Sequence, residues 1–352
     1  MTRTFAETSM RMKSVRIWLW TGVFMVLIQV MLGGITRLTE SGLSITEWDV
    51  VMGSFPPTND AAWQKEFDQY QSSAQFEKIN NDFTVEQFKS IFWWEFIHRL
   101  WARLIGFVFL FPFIFFVIKK QFNGSWIRKL LVIFLLGGLQ GFVGWVMVAS
   151  GLDGDPWVDP SKLTIHLMLA LIVYMYLIWL ALSYRKKAII TEHPTAHKNI
   201  KWVLAFILIQ IALGGLMAGT DAGRLYNTYP LMNGQFMPDG TFHNVFGADK
   251  LVALTTEINF LHRTFALVVA ISILLFWKQQ RKFSSPTVHR LNNLLLGGLV
   301  LQFLLGVFTL LGSSVHIPVF LGVAHQLTAC LLLGVAVAIL FYSKARAGYS
   351  PN

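Results

Sequence analysis

The chain has 352 residues, of which 54% are hydrophobic and only 14% are charged, and its formal net charge is +10. So apolar a composition excludes an ordinary soluble domain. The single cysteine, Cys330, excludes an intramolecular disulfide and a cysteine-based metal cluster.

Eight apolar runs are long enough to span a bilayer whose hydrocarbon core is about 30 Å thick. They lie near residues 17–35, 98–118, 129–149, 163–183, 202–219, 260–277, 292–312 and 318–342. The first run is followed by Gly33-Gly34-Ile35-Thr36-Arg37, without a small-x-small cleavage site, so we interpret it as a retained helix rather than a signal peptide. We therefore expect an all-α integral membrane protein with eight transmembrane helices.

The charged residues are sorted by side of the membrane. If the N-terminus is inside and the spans alternate, the inner segments hold 19 of the 29 Lys and Arg, and the outer segments hold 17 of the 19 acids. This positive-inside pattern predicts that both termini are cytoplasmic. The basic balance thus indicates membrane topology, and no nucleic-acid partner is expected.

A long outer segment, residues 36–97, separates the first two spans. Trp63, Phe67 and Tyr70 recur at i, i+4 and i+7, which predicts a short amphipathic helix, and residues 85–92 form a second candidate. Long loops in compact proteins are usually functional or disordered, and the aromatic content argues against disorder. We expect this segment to form a folded cap on the outer membrane surface.

Short motifs recur between the two halves of the chain. His98-Arg99 recurs as His262-Arg263, and His166 recurs as His325. Each odd-numbered span also contains Gln-x-x-x-Gly, at Gln29/Gly33, Gln140/Gly144, Gln210/Gly214 and Gln302/Gly306. Because four spans is an even number, the halves share one orientation, and we predict two parallel-repeat four-helix bundles.

This duplication divides the chain into five parts. They are a cytoplasmic lead (1–16), a first half (17–183), a cytoplasmic linker (184–201), a second half (202–342) and a cytoplasmic tail (343–352). The first half contains the long outer segment and is expected to hold a substrate site. The second half is expected to hold a resident cofactor.

Four of the nine histidines, namely His98, His166, His262 and His325, belong to the repeat and lie near the outer ends of even-numbered spans. A single buried histidine is more often structural, but two matched pairs at similar depth indicate facing imidazoles that hold a haem within each bundle. A zinc or di-iron site would need carboxylates in the interior, which the spans lack.

Arg99 and Arg263 directly follow their histidines, and Arg37 follows the Gly-Gly end of the first span. We expect them to form salt bridges with haem propionates, because Arg binds carboxylates in bidentate fashion and keeps its charge when desolvated. Snorkelling to the interface is the alternative. For Gln-x-x-x-Gly, room for a porphyrin and close helix packing both remain open.

Glu95 lies three residues before His98 on the same helical face, and its counterpart in the repeat is Asn259. An ionisable side chain in a membrane span is costly and is a functional candidate by default. A carboxylate beside only one of two matched sites predicts that chemistry occurs in the first half. The alternative is an interfacial ion pair with Arg99 or another cation.

Three stretches together resemble haem A synthase, in the form found in proteobacteria and mitochondria. They are the run from Gly33 to Ser44, Pro56-Pro57 with Trp63 and Phe67, and the run from Trp94 to Arg99. The resemblance covers nearly the whole chain. It implies an oxidoreductase of the bacterial inner membrane that converts haem O to haem A for aa3-type cytochrome oxidases.

The resemblance implies that one ring methyl of haem O is hydroxylated twice, with oxygen from water. The product is a geminal diol, which loses water to leave a formyl group. His98 and His166 would face the substrate haem O, while His262 and His325 would ligate haem b. Glu95 matches the catalytic carboxylate. Implied or candidate partners are haem O, haem O synthase, cytochrome oxidase assembly factors, membrane lipid and a second copy of the chain.

Two other classes of protein compete with this interpretation. A non-enzymatic di-haem b electron-transfer subunit predicts the same four histidines, but it does not predict the difference between Glu95 and Asn259. A transporter predicts polar or broken helices near mid-membrane, whereas the ionisable residues here cluster at one face.

Overall fold

The computed structural model describes residues 5–47, 55–184, 194–239, 241–242, 250–281 and 285–343. Residues 1–4 of the predicted lead, 185–193 of the predicted linker and 344–352 of the predicted tail lie outside these ranges. The helices within the described ranges are α1 (Phe5–Leu38), α2 (Asp60–Gln71), α3 (Ala74–Lys78), α4 (Val85–Ile118), α5 (Gly124–Leu152), α6 (Pro160–Ser183), α7 (Pro194–Gly219), α8 (Lys250–Gln280), α9 (Pro286–Leu311) and α10 (Val319–Tyr342).

Eight of these helices, all except α2 and α3, are long and apolar enough to cross a membrane. They confirm the predicted all-helical, eight-span architecture, and the described residues contain no strand. The largest differences from the predicted bounds are at the starts of α1, α4 and α8, which begin at Phe5, Val85 and Lys250, well before residues 17, 98 and 260. A capping box between Thr84 and Gln87 starts α4, and nothing after it breaks the helix.

The helices α1, α6, α7 and α10 pack against one another at the centre of the molecule. Leu19, Leu177, Ile207 and Leu333 are buried where these four helices meet. On one side α4 packs against α1, and α5 packs against α6. On the other side α8 packs against α7, and α9 packs against α10. The predicted duplication would match the α1–α4 pair with the α7–α8 pair, and the α5–α6 pair with the α9–α10 pair.

The outer segment forms an aromatic cap on the N-terminal part of α4. Trp63, Phe67 and Tyr70 are buried on one face of α2, which confirms the predicted amphipathic helix. Trp63 packs edge-on against Phe92, and Tyr70 stacks on Phe88, with ring centroids 5.0 and 5.1 Å apart. The second predicted helix, residues 85–92, is the beginning of α4 itself, so the cap is built directly on a transmembrane helix.

Tyr70 is fully buried in this cap, with an exposed fraction of 0%. Its hydroxyl lies 3.2 Å from Gln75 Oε1 and accepts a hydrogen bond of 2.7 Å from Asn80 Nδ2. Burial raises the pKa of Tyr70 to about 12, so the hydroxyl is protonated at neutral pH.

A Tyr70→Phe variant is expected to destabilise the cap by about 1–3 kcal/mol, because it leaves the buried Asn80 amide without its acceptor. Thermal unfolding in detergent, followed by tryptophan fluorescence, measures the effect. A Tyr176→Phe variant is the control, since that hydroxyl bonds an exposed backbone carbonyl of Lys129. Equal stability of the two variants would contradict a structural role for the Tyr70 hydroxyl.

Candidate functional site

The four repeated histidines lie on the four even-numbered spans of the chain, His98 on α4, His166 on α6, His262 on α8 and His325 on α10. All four are half-buried. The imidazoles of His262 and His325 have ring centroids 6.4 Å apart. His98 and His166 are close enough to interact electrostatically. The structure therefore brings one pair of histidines together in each half.

Each Gln-x-x-x-Gly motif contacts one of these histidines, and the glycine makes room for the ring. A Cβ atom at Gly144 would lie 2.8 Å from Cε1 of His166, and one at Gly306 would lie 2.8 Å from Cε1 of His325. Gly214 faces His262 and Gly33 faces His98 at 3.2 and 3.3 Å. An alanine side chain at these positions would displace the imidazole. The glycine therefore lets the helix that carries the motif pack directly against the histidine.

In each motif the glutamine forms a hydrogen bond with the histidine-bearing helix that the glycine of the same motif contacts. Gln29, Gln140 and Gln210 donate from Nε2 to the backbone carbonyls of His98, His166 and His262, at 3.2, 3.1 and 3.0 Å. Gln302 Nε2 lies 3.2 Å from His325 Nε2. The buried Oε1 atoms of these four glutamines have no hydrogen-bond partner within the described structure. Such atoms are costly unless a ligand or a ring N–H satisfies them.

Glu95 is almost completely buried, with an exposed fraction of 2%. Its Oε2 accepts hydrogen bonds from the Ser44 hydroxyl at 2.7 Å and from the Ile45 backbone N–H at 2.9 Å. Its Oε1 pairs with the Arg99 guanidinium. A carboxylate held by two neutral donors and a cation is fixed in position.

Asn259 occupies the matching place in the second half and is fully buried. Its Nδ2 donates to the Ala222 carbonyl at 2.6 Å. Glu95 and Asn259 thus both connect their helix to the segment that follows an odd-numbered span. Because an amide carries no charge and cannot take a proton near neutral pH, only the first half has a group capable of acid–base chemistry at this place.

The predicted propionate-binding arginines contact backbone carbonyls. Arg99 donates to the carbonyls of Ile45 and Glu47, at 3.0 and 3.1 Å. Arg263 donates to the carbonyls of Thr228 and Pro230, at 2.8 and 2.9 Å. Each arginine directly follows a repeated histidine, and its bonds connect that helix to the segment after an odd-numbered span.

Arg37 lies between the two halves. Its Nη2 is 3.0 Å from Asp221 Oδ2, and its guanidinium carbon is 6.0 Å from the ring centroid of Trp157. Asp221 follows α7 and has a positive φ of 51°, as does Glu40 after α1, with φ of 56°. The ion pair thus joins the end of α1 to the end of α7.

Two contacts of the site were not predicted from the sequence. Ser44 bonds Glu95 from 51 positions earlier in the chain, and no spacing rule connects these residues. In the Gly-Gly pairs of α1 and α7 the second glycine contacts the opposite half, since a Cβ at Gly34 would meet Gln326 and one at Gly215 would meet Thr164. The repeated Gly-Gly was the available signal for the latter.

Two observations indicate that the residues of the second half could hold a haem. Ring centroids 6.4 Å apart leave room for one iron bound at about 2 Å from a nitrogen of each imidazole. The amide nitrogens of Gln210 and Gln302 lie 3.1 and 3.2 Å from ring nitrogens of His262 and His325, and the buried Oε1 atoms of these amides have no partner in the described structure. Turned over, such an amide would offer its oxygen to the N–H of a metal-bound imidazole.

Comparison with known proteins gives a consistent result. The COX15-CtaA family model, described as cytochrome oxidase assembly protein, matches residues 16–337. A haem A synthase of Flavobacterium johnsoniae is 43% identical over 329 residues, which cover 91% of this chain and 95% of that protein. A haem A synthase of Brucella anthropi is 42% identical, over 92% of this chain and 90% of that protein. A haem A synthase of Caulobacter vibrioides is 40% identical, over 93% of this chain and 95% of that protein.

Proposed function

The chain belongs to the haem A synthase family, and on that basis we propose that it oxidises one ring methyl of haem O to the formyl group of haem A. The observation that carries this proposal is the buried carboxylate of Glu95 in the first half, where the otherwise matched second half has Asn259. A pure electron-transfer protein has no need for that difference.

The two halves have different roles in this proposal. His98 and His166 bind the iron of the substrate haem O in the first half, and His262 and His325 bind a resident haem b in the second. Each of the four histidines lies against a glycine that makes room for its ring. When bound, haem b supplies a nearby one-electron acceptor. Arg37, Arg99 and Arg263 supply positive charge for the haem propionates.

Glu95 acts on the methyl carbon and the attacking water. Each hydroxylation removes two electrons and two protons, as one C–H bond breaks and one C–O bond to water oxygen forms. The two electrons leave one at a time and are taken up by a redox partner outside this chain. The second hydroxylation gives a geminal diol, which loses water to leave the formyl group. Glu95 takes a proton from the water or stabilises positive charge at the carbon, and its bonds to Ser44 and Ile45 hold it still.

The protein is a multi-pass membrane protein, and we place it in the bacterial inner membrane with both termini cytoplasmic. The excess of Lys and Arg in alternate segments supports this orientation. The four histidines then lie in the outer part of the membrane. Haem O has a long isoprenoid tail. Because that tail is apolar, we propose that haem O enters its site from the lipid, between the helices.

The proposal is tested by purifying the protein from cells that supply haem O, extracting the haems and separating them by chromatography. Haem b together with haem O or haem A is expected. Haem b alone in both halves would instead support a di-haem electron-transfer subunit. A colourless protein, despite adequate haem supply, would exclude both functions.

Gly144→Ala and Gly306→Ala are each expected to lower the haem affinity of their own half by about 10-fold or more, because the new methyl displaces His166 or His325. Haem bound per protein, measured as the pyridine haemochrome, checks this. Gly141→Ala and Gly297→Ala are matched controls, since a Cβ at either position meets nothing within 4 Å. Equal losses in the controls would mean that glycine is needed only for helix packing.

A further inference from the structure

The two halves differ in how their four spans close on one another. In the second half each span packs against both of its neighbours, through the pairs α7–α8, α8–α9, α9–α10 and α10–α7. In the first half α1 packs against α4 and α6, and α5 packs against α6, but α5 does not pack closely against α4. The four spans of the first half, all of them within the described residues, therefore leave one open seam, between α4 and α5.

One face of α5 is turned toward this seam. In the inner part of the helix, the ring centroid of Phe134 lies 5.6 and 5.1 Å from those of Phe109 and Phe113 on α4. In the outer part, Trp145 of α5 and Arg99 of α4 line a common cavity of about 60 Å³. The seam is thus closed by aromatic rings at its inner end and is hollow at its outer end.

Between these two points, α5 presents glycine to the seam. Because residues at i, i+4, i+7 and i+11 share one face of a helix, Gly138 and Gly141 lie on the face that carries Phe134 and Trp145. Both glycines are exposed, and a Cβ atom at either position would meet nothing within 4 Å. The gap therefore lies at the level of Gln140, which bonds the histidine-bearing helix α6.

The second half has large side chains at the matching positions. When the Gln-x-x-x-Gly motifs of α5 and α9 are aligned, Gly138 and Gly141 correspond to Val300 and Phe303. Side chains of this size fill space that glycine leaves open. The residues that face the seam thus differ between the halves in the same sense as the packing of the helices.

Phe303 also takes part in a contact that bridges the second seam. The ring of Tyr229, in the segment after α7, packs edge-on against Phe303 with centroids 5.9 Å apart. The guanidinium carbon of Arg263 on α8 lies 5.6 Å from the centroid of the same Tyr229 ring. Tyr229 therefore connects α8 to α9 across the outer part of their seam.

We propose that haem O enters the first half from the lipid, and haem A returns to the lipid, through the seam between α4 and α5, and that Phe303 and Tyr229 close the matching passage of the second half. The inference rests on the proposed function, which requires one haem to be exchanged in each reaction and the other to stay. A lateral opening lets the apolar tail remain in lipid while the flat ring passes the glycines. The cavity at the outer end of the seam reaches Arg99, which pairs with Glu95, so an entering ring arrives beside the candidate catalytic carboxylate.

The first test is Gly141→Phe in the full-length protein, which gives α5 the residue of α9. Haem O is supplied in lipid vesicles to the reconstituted protein that already contains haem b, and its uptake and release are followed by absorbance. We expect both rates to fall by at least about 10-fold, because the added ring must be displaced at each passage. The final occupancy should equal that of wild type, since a barrier slows both directions alike.

Leu139→Phe is the matched control for this variant. Leu139 is exposed on the same helix and lies outside the face shared by Gly138 and Gly141, so the added ring should leave both rates unchanged. The low-spin spectrum of haem b shows in each variant that the chain has folded. Uptake by Gly141→Phe at the wild-type rate, or a lower occupancy at unchanged rates, would overturn the passage between α4 and α5.

The reverse test opens the second half with Phe303→Ala. We expect haem b to transfer to a soluble haem acceptor, apomyoglobin, at least about 10-fold faster than from wild type. Leu301→Ala is the control, because Leu301 is exposed on the same helix and corresponds to Leu139. Transfer from Phe303→Ala at the wild-type rate would overturn the closing contact. A wild type that takes up haem b but no haem O would instead overturn the proposed function itself.

Discussion

A Glu95→Gln variant is expected to bind haem O and haem b and yet to form at least about 100-fold less haem A than wild type. Glutamine has the size of glutamate and an oxygen that still accepts from Ser44 and Ile45, so the local structure is retained. It cannot take a proton from water or carry the negative charge that opposes positive charge at the methyl carbon. Extraction and chromatography of the haems separate haem O from haem A.

The controls for this variant address folding and specificity. Replacing the charged member of a buried ion pair destabilises a protein, so the haem b content of Glu95→Gln must be measured beside its product. Glu257→Gln is the matched control, because Glu257 accepts from the Phe242 N–H in the second half and has no place in the chemistry. Normal haem A formation by Glu95→Gln would contradict its catalytic role.

A His262→Ala variant is expected to lose haem b from the second half, with at least about a 10-fold fall in haem b per protein, and to stop making haem A. Its first half should still bind haem O, because His98 and His166 lie on other helices. The expected product of purification is therefore a protein that contains haem O alone. Reduced-minus-oxidised spectra and haem extraction measure both changes.

His316→Ala is the control for this variant, since His316 is exposed and lies in the segment between α9 and α10. It should retain both haems and full production of haem A. If His262→Ala lost haem b and still produced haem A at the wild-type rate, the second haem would have no part in removing electrons from the substrate.

Much of the fold could be predicted from the sequence. The eight spans were located because lipid requires about 20 apolar residues in each helix, and this requirement leaves a continuous signal. The starts of α4 and α8 were missed because their first turns lie outside the apolar run and are amphipathic. The cap helix α2 was found because its buried face follows a helical period.

The structure connects several of the predicted site residues by bonds that the sequence did not predict. The histidines stood out because ionisable side chains are rare in membrane spans, and the repeat grouped them two to a half. Glu95 and Arg99 were weighed as an ion pair, and the structure contains that pair. For Gln-x-x-x-Gly the sequence left packing and porphyrin room undecided, whereas the structure shows each glycine against an imidazole.

The sequence by itself determined the membrane class, the number of spans and the histidines, since each leaves a local pattern of hydropathy or a recurring motif. Only the tertiary structure decided which donors hold Glu95 and which glycine lies against each imidazole. Ser44 is 51 positions from Glu95, and Gln140 is 26 positions from His166. Such bonds join separate segments of the chain, and their existence depends on how helices pack and side chains turn, which no spacing in the sequence records.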